Sequence, residues 1–179
     1  MEEKHGQLMR RHFYIVGAES TGKSTLTHDL AHYFGAPGVD EFARGYLEKL
    51  RRPYTYDDLE QIARGQLDLI LKNRDQNLVF FDTDLINIKV WFQLVFTAVP
   101  DWLPEEIEKV GRGTYLVCQP DIPWVPDPLR ENPGRRDYLN ELYEKELELA
   151  GFPYFRISGF GNDRLIHAVS IVEQVIATD

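Results

Sequence analysis

The sequence predicts an α/β fold in which a five-stranded parallel sheet is covered by helices on both faces, a three-layer sandwich. Short apolar runs alternate along the chain with longer segments whose apolar residues recur at helical spacing. The runs are apolar throughout, which is typical of parallel strands that are buried on both faces. The length of 179 residues is usual for one domain, so residues 1–179 are expected to form a single domain.

Each predicted element has its own signal in the chain. The apolar runs place strands at residues 13–16, 78–81, 114–118 and 154–157, and a weaker signal places a second short strand at residues 39–42. The helical spacing places helices at residues 23–34, 55–73, 85–96, 104–110, 137–149 and 163–177. In the second helix, Thr55 and Asp58 resemble a capping pair. The predicted buried stripe of that helix consists of Leu59, Ile62, Ala63, Leu67, Ile70 and Leu71.

Composition excludes several classes of protein. The chain carries 29 acidic and 20 basic residues, a net charge of −9, which argues against nucleic acid or an anionic membrane as the main partner. Its single cysteine, Cys118, cannot form a disulfide within the chain and fits a reducing compartment. No apolar run is long enough to span a bilayer. A cytoplasmic protein is expected, with its oligomeric state left open and residues 1–11 forming a polar tail.

A phosphate-binding loop follows the first predicted strand and precedes a helix. Residues 17–24 read GAESTGKS and match the pattern G-x-x-x-x-G-K-[ST]. In this motif the backbone N–H groups and the helix N-terminus bind phosphates, the lysine reaches the β- and γ-phosphates, and the serine ligates Mg²⁺. The sequence therefore predicts an ATP and Mg²⁺ site. The residues predicted to form it are Gly17, Glu19, Ser20, Thr21, Gly22, Lys23, Ser24 and Thr25.

Acidic residues lie just after two other predicted strands, where ligands bind in parallel sheets. Asp82 ends one strand and is the candidate for binding Mg²⁺ or accepting the proton of a hydroxyl group; its alternative role is a helix N-cap. Asp84 is equally suited to a substrate hydroxyl and to an N-cap. Glu41 could bind or deprotonate a sugar hydroxyl, with Arg44 beside it. The alternative for Glu41 and Arg44 is a surface ion pair.

The segment from about residue 120 to 136 holds five prolines and is predicted to be an irregular loop that covers the substrates; we call residues 120–136 the lid. Arg130, Arg135 and Arg136 could neutralise charge on the transferring phosphoryl group. The two later arginines could instead pair with the acidic helix that follows. Trp124 could stack on a flat acceptor ring or simply anchor the loop, and Asp127 would line the acceptor pocket.

Together, GAESTGKSTLT, DEFARGYLE, FFDTDLINIKVWF, PDIPWVPDPLR and the Asn162-Asp163-Arg164 run resemble the ribosylnicotinamide kinase family over about residues 12–177. This is the P-loop kinase domain that some bacteria fuse behind an NMN adenylyltransferase. The resemblance implies a nucleoside-kinase-like P-loop NTPase fold and transfer of the ATP γ-phosphate to the 5′-hydroxyl of nicotinamide riboside. The sequence alone suggests a stand-alone kinase, since twelve residues precede the first strand.

The resemblance implies roles for particular residues. Lys23, Ser24 and Asp82 would hold the triphosphate and its metal, Asp84 and Glu41 would bind the ribose, and Arg130 would clamp the phosphoryl group. Alternatives remain open: a P-loop kinase for another nucleoside, a nucleic-acid kinase, or a nucleotide-dependent regulatory ATPase. The base could be Asp82, Asp84 or Glu41, and ATP is not distinguished from GTP.

Overall fold

The sheet of the computed structural model, which describes residues 11–178, contains five strands that all run parallel in the order β2-β3-β1-β4-β5. The strands are β1 (Arg11–Val16), β2 (Gly38–Val39), β3 (Leu78–Asp82), β4 (Thr114–Cys118) and β5 (Tyr154–Ile157). The order reverses on either side of β1, so the carboxyl ends of β1, β3 and β4 open onto one crevice. The predicted five-stranded parallel sheet is therefore confirmed.

Seven helices cover the two faces of this sheet. They are α1 (Lys23–Phe34), α2 (Phe42–Lys49), α3 (Tyr56–Asn73), α4 (Leu85–Val95), α5 (Trp102–Val110), α6 (Arg136–Ala150) and α7 (Asn162–Ala177). Helices α1 and α7 pack against one face, and α3, α4 and α5 pack against the other. No helix within residues 11–178 is long and apolar enough to cross a membrane.

Alternation along the central strand divides the core into two layers. Tyr14 and Val16 point into the layer formed with α3, α4 and α5, whereas Phe13 and Ile15 point into the layer formed with α1 and α7. All four side chains are fully buried. A stretch of strand that is covered on both faces is apolar at successive positions, which is why residues 13–16 of β1 lack an alternating polar pattern.

Most predicted elements are found within two residues of their expected ends, but three predictions were wrong. Helix α2 was not predicted, because it buries no side chain completely and Gly45 interrupts its helical propensity. The second strand contains only two residues. Arg11, assigned to the polar tail, begins β1, while residues 1–10 lie outside the described residues.

The predicted stripe of α3 was correct except at its C-terminal end. Leu71 is 36% exposed, because it is one residue beyond the buried Ile70 and so lies about 100° further around the helix. The buried row also contains Gln66, a polar residue that periodicity alone did not select. At the other end, Thr55 accepts a hydrogen bond from the Asp58 N–H, and the Asp58 carboxylate accepts one from the Thr55 N–H, which confirms the capping pair.

We predict that Thr55→Ala lowers the free energy of unfolding by about 1 kcal/mol, because the substitution removes the N-cap of α3. Nucleotide binding should not change, since the hydrogen bonds of the Thr55 side chain and N–H are made with Asp58 in the first turn of the same helix. Ser170→Ala, at an exposed position within α7, is the control and should not destabilise the protein. Urea denaturation measures both values. A loss at Ser170 equal to that at Thr55 would contradict the capping role.

Candidate active site

The phosphate loop turns sharply at two glycines. Gly17 follows β1 with φ of 139°, and a Cβ atom at this position would lie 2.7 Å from the Cys118 carbonyl oxygen. Gly22 precedes α1 with φ of 78° in the left-handed region. Side chains rarely adopt these conformations, so glycine is required at both turns. The backbone between them wraps around the N-terminus of α1, where the helix dipole favours an anion.

Buried contacts fix the shape of this loop. Asn140 of α6 accepts a hydrogen bond from the Ala18 N–H at 2.8 Å and donates one to the Cys118 carbonyl oxygen at 2.8 Å. The Thr21 hydroxyl donates to the Ala18 carbonyl oxygen at 2.7 Å. The Lys23 ammonium donates to the same oxygen at 3.0 Å, so it already lies within the loop that the motif predicts it to serve.

Ser24 and Asp82 meet at the end of the neighbouring strand. Parallel pairing sets Ile15 of β1 opposite Asp82 of β3, and the Ser24 hydroxyl donates to the Asp82 carboxylate at 2.5 Å. Oxygen ligands of this kind suit Mg²⁺, which binds proteins through one or two side chains and completes its shell with phosphates and water. The pair predicted from the sequence is therefore compatible with a metal ion bound together with a nucleotide.

Glu41 lies next to Asp82 although the two residues are far apart in the sequence. The Thr83 hydroxyl is 3.1 Å from Glu41 Oε2 and 3.4 Å from Asp82 Oδ1, so it connects the two carboxylates. Desolvation raises the pKa of Glu41, and the negative charge of Asp82 adds to the rise, while the positive charge of Lys23 opposes it. A carboxylate in this position can accept a proton at a higher pH than an exposed glutamate.

The connection depends on an unusual backbone conformation. Thr83 has φ of 69°, a left-handed value that is strained for a β-branched residue. Buried Gln66 stabilises it by donating to the Thr83 carbonyl oxygen at 3.2 Å, while its own oxygen accepts the Phe42 N–H at 2.9 Å. One amide of α3 therefore fixes both the residue after Asp82 and the residue after Glu41.

Asp84 does not join this cluster. Its carboxylate accepts the N–H groups of Ile86 and Asn87 and caps α4, the alternative role that the sequence left open. The side chain is 2% exposed, and burial raises its pKa to about 6. Its carboxylate is therefore engaged at the start of α4, whereas those of Asp82 and Glu41 are connected through the Thr83 hydroxyl.

The predicted lid is irregular, without helix or strand before α6 begins, and it touches the phosphate loop. Arg136 donates to the Ser20 carbonyl oxygen at 3.0 Å and to the Ile122 carbonyl oxygen at 2.9 Å. Its guanidinium also lies 5.9 Å from the centre of the Trp124 ring. Arg135, by contrast, lies over the Tyr138 ring on the outer side of α6.

Two other predicted residues of the lid form contacts outside the phosphate loop. Arg130 donates to the Val125 carbonyl oxygen within the lid itself. Asp127 accepts from Arg44 at 3.3 Å, so the residue pair predicted for the acceptor pocket connects the lid with α2. Arg44 also lies 3.7 Å from the exposed Glu48, so its ion pairs are with Asp127 and Glu48 and not with Glu41, the partner of its alternative role.

Arg164 is a buried connection that the sequence did not identify as functional. It donates to backbone carbonyl oxygens of Thr21, Gln119 and Gly159, and it pairs with Asp121. It is 5% exposed. The phosphate loop, the root of the lid and the loop after β5 therefore share one guanidinium. The Asn162-Asp163-Arg164 run was part of the family resemblance, but nothing in the sequence assigned a role to Arg164 itself.

Gln66, Thr83 and Asn140 were also missed, for a common reason. Each is a polar residue that would normally be expected at the surface. Gln66 and Asn140 are buried because they bind backbone groups brought together from distant segments, and Thr83 is buried because its hydroxyl lies between the carboxylates of Glu41 and Asp82. Only Thr83 had a local signal, since it lies between Asp82 and Asp84 at the end of a strand.

Fold and site together define a P-loop protein with the architecture of nucleoside and nucleotide kinases. The sequence profile described as "AAA domain" matches residues 12–164. The chain belongs to this family.

Known proteins with related sequences and structures agree with that class. The chain is 26% identical over 173 residues to the trifunctional NAD biosynthesis/regulator protein NadR of Escherichia coli, covering 90% of this chain and 42% of that protein. It resembles a crystal structure of NadR protein in complex with NR, with a TM-score of 0.77 and 26% identity, over 96% of this chain and 53% of the other. The chain thus spans less than half the length of the curated relative.

A more distant structure supports the fold alone. Deoxyadenosine kinase from M. mycoides aligns with a TM-score of 0.62 and 11% identity, over 91% of this chain and 99% of that chain.

We predict that Arg164→Met lowers the free energy of unfolding by about 3 kcal/mol or more, because it leaves several buried acceptors and Asp121 without their donor. It should also weaken nucleotide binding, since the phosphate loop loses a support at Thr21. Arg64→Met is the matched control: Arg64 pairs with Glu60 at the surface, where such pairs contribute about 1 kcal/mol or less. Chemical denaturation and nucleotide titration measure the stability and the nucleotide affinity of both variants. Equal losses of stability and affinity in the two variants would contradict a special role for Arg164.

Proposed function

We propose that the chain is an ATP- and Mg²⁺-dependent phosphotransferase that phosphorylates the 5′-hydroxyl of nicotinamide riboside to give NMN, a step of NAD salvage. The observation that carries the proposal is the cluster of Lys23, Asp82 and Glu41 at the carboxyl ends of three strands. In this cluster Lys23 would bind a triphosphate, Asp82 a metal ion and Glu41 a hydroxyl group. Similarity to NadR, known in complex with NR, supports nicotinamide riboside as the acceptor.

The triphosphate would be bound mostly by backbone groups. The N–H groups from Gly22 to Thr25 lie at the start of α1, where its dipole favours anions. Lys23 would exchange its hydrogen bond to the Ala18 carbonyl oxygen for the β- and γ-phosphates. Because the phosphate loop is fixed from below by Asn140, this binding needs little rearrangement of the backbone.

Ser24 and Asp82 would hold Mg²⁺ when the nucleotide is bound. The ion would supply positive charge next to the β- and γ-phosphate oxygens. The hydrogen bond that now joins the two side chains keeps both oxygens directed toward each other, and the Ser24 hydroxyl is released from it when it becomes a ligand. Asp82 would then bind the metal ion and would be less suited to accept a proton.

Glu41 is the candidate for the base. The 5′-oxygen of the acceptor forms a bond to the γ-phosphorus, the bond between that phosphorus and the β–γ bridging oxygen breaks, and ADP leaves. The hydroxyl proton passes to the Glu41 carboxylate, which the Thr83 hydroxyl orients. Positioning and electrostatic stabilisation supply most of the rate in phosphoryl transfer, so base and cations must be held together.

The lid would complete the site around the acceptor. Trp124 would stack on the nicotinamide ring, whose positive charge favours an aromatic face. Asp127 and Arg44, already joined at 3.3 Å, would border the ribose. Arg130 would exchange its hydrogen bond to the Val125 carbonyl oxygen for one to the transferring phosphoryl group. Of the other two arginines, Arg136 contacts the phosphate loop, whereas Arg135 lies over the Tyr138 ring.

The direct test is incubation of the purified protein with ATP, Mg²⁺ and nicotinamide riboside, followed by mass spectrometry of the products. We expect NMN and ADP in equal amounts, and chelation of Mg²⁺ should abolish both. The same assay with a panel of other nucleosides, and with GTP in place of ATP, gives kcat/KM for each combination of donor and acceptor. A higher kcat/KM for another nucleoside would identify that nucleoside as the acceptor in place of nicotinamide riboside. ATP hydrolysis without any phosphorylated nucleoside would favour a regulatory ATPase.

We predict that Glu41→Gln lowers kcat by about 10²- to 10⁴-fold, because the variant cannot accept the hydroxyl proton. Glu48→Gln, at an exposed position of α2, which begins directly after Glu41, is the matched control and should retain more than half of the activity. An equal loss in both variants would remove Glu41 from the mechanism.

The pH dependence provides a separate prediction for the same residue. A base must be ionised, so kcat/KM should fall as the pH drops through the pKa of Glu41. Because desolvation raises that pKa, the fall should occur above the value of about 4.3 expected for an exposed glutamate. In Glu41→Gln this acid limb should disappear. Its persistence in the variant would assign the titration to another group.

A further inference from the structure

The phosphate loop contains an acidic residue where an anion must bind. Glu19 lies between the two glycine turns of the loop, and a carboxylate there would repel a triphosphate unless its charge were satisfied elsewhere. The structure shows where it is satisfied. Glu19 Oε1 accepts the N–H of Glu131 at 3.0 Å, and Oε2 accepts the N–H of Asn132 at 2.9 Å. Both donors belong to the lid.

The two donors are held in position by the lid's own turns. The Arg130 N–H donates to the Asp127 carbonyl oxygen at 3.0 Å before them, and the Arg135 N–H donates to the Asn132 carbonyl oxygen at 3.3 Å after them. Two successive N–H groups between these turns point at one carboxylate. Hydrogen bonds to a charged acceptor are roughly twice as strong as those between neutral groups, so Glu19 is a strong anchor for this part of the lid.

The next residue of the phosphate loop provides a second point of contact. The Ser20 hydroxyl accepts the Val125 N–H at 2.8 Å, and its carbonyl oxygen accepts from Arg136. Glu19 and Ser20 thus engage the start, the middle and the end of the lid. Ser20 has φ of 57°, a left-handed conformation that is uncommon for serine. Glu19 and Ser20 of the phosphate loop therefore contact the lid, while the residues from Gly22 onward form the N-terminus of α1.

We propose that Glu19 is a positioning residue that fixes the lid on the phosphate loop and so directs the γ-phosphoryl group to the acceptor instead of to water. The proposal rests on the phosphotransferase function proposed above. With the lid fixed, Arg130 and Trp124 remain near the phosphates and the acceptor, and bulk water is excluded. With the lid loose, water attacks the γ-phosphorus in place of the 5′-hydroxyl, and ATP is converted to ADP and inorganic phosphate.

The experiment uses Glu19→Ala, Glu19→Gln and the control Glu173→Ala, which changes an exposed glutamate of α7. The first measurement is hydrogen exchange at the Glu131 and Asn132 amides by NMR, without any substrate. We expect exchange to accelerate about tenfold or more in Glu19→Ala, because each amide loses a charged acceptor. Glu19→Gln keeps one side-chain oxygen and should give an intermediate rate. The control should match the unsubstituted protein.

The second measurement is the ratio of inorganic phosphate to phosphorylated nucleoside formed from ATP. We expect this ratio to rise about tenfold in Glu19→Ala, less in Glu19→Gln and not in Glu173→Ala. A residue that only stabilises the fold would lower both products together and leave the ratio unchanged. Unchanged amide exchange in both Glu19 variants, or faster exchange with an unchanged ratio, would overturn the proposal.

The two measurements separate this inference from the proposed function. If the unsubstituted protein forms no NMN, the phosphotransferase proposal fails. Amide exchange then still decides whether Glu19 fixes the lid. If NMN is formed but the Glu19 variants keep the exchange rates and the product ratio of the unsubstituted protein, only the role of Glu19 fails.

Discussion

The hydrogen bond between the Ser24 hydroxyl and the Asp82 carboxylate is the contact on which the site depends. It exists because β1 and β3 are parallel neighbours in register, so the phosphate loop after one strand meets the carboxylate that ends the other. Residues 13–16 of β1 and 79–81 of β3 are apolar and fully buried, and this burial favours their register. The chemistry at the edge of the sheet is therefore positioned by the core beneath it.

Around that pair, the site is built from buried polar residues that bind backbone groups. Gln66 supports Thr83 and the start of α2, Asn140 supports the phosphate loop, and Arg164 joins three loops. Each such residue exchanges hydration for several hydrogen bonds at fixed positions, which favours a rigid site over a flexible one. The lid is the exception, since several of its contacts are exposed, and that of Arg130 can be exchanged when substrates bind.

The fold and the phosphate loop could be predicted because their signals are local. Apolar runs, helical spacing and the GAESTGKS motif are each contained in a few consecutive residues, and the capping pair at Thr55 is equally local. Helix α2 was missed because it is short, contains Gly45 and buries no residue fully. The supports at Gln66, Asn140 and Arg164 could not be predicted, because a buried polar residue is explained only by partners that the chain brings from distant segments. For Asp84 the sequence allowed two roles, and only the geometry showed the N-cap.

The central claim is that Glu41, Asp82 and Lys23 together hold a hydroxyl acceptor in line with a triphosphate. A crystal structure of the protein with nicotinamide riboside and a non-hydrolysable ATP analogue tests it most directly. The account predicts the 5′-oxygen within hydrogen-bond distance of the Glu41 carboxylate and about 3 to 3.5 Å from the γ-phosphorus. A nicotinamide riboside molecule whose 5′-hydroxyl faces away from the γ-phosphate, or one bound outside the crevice, would contradict it.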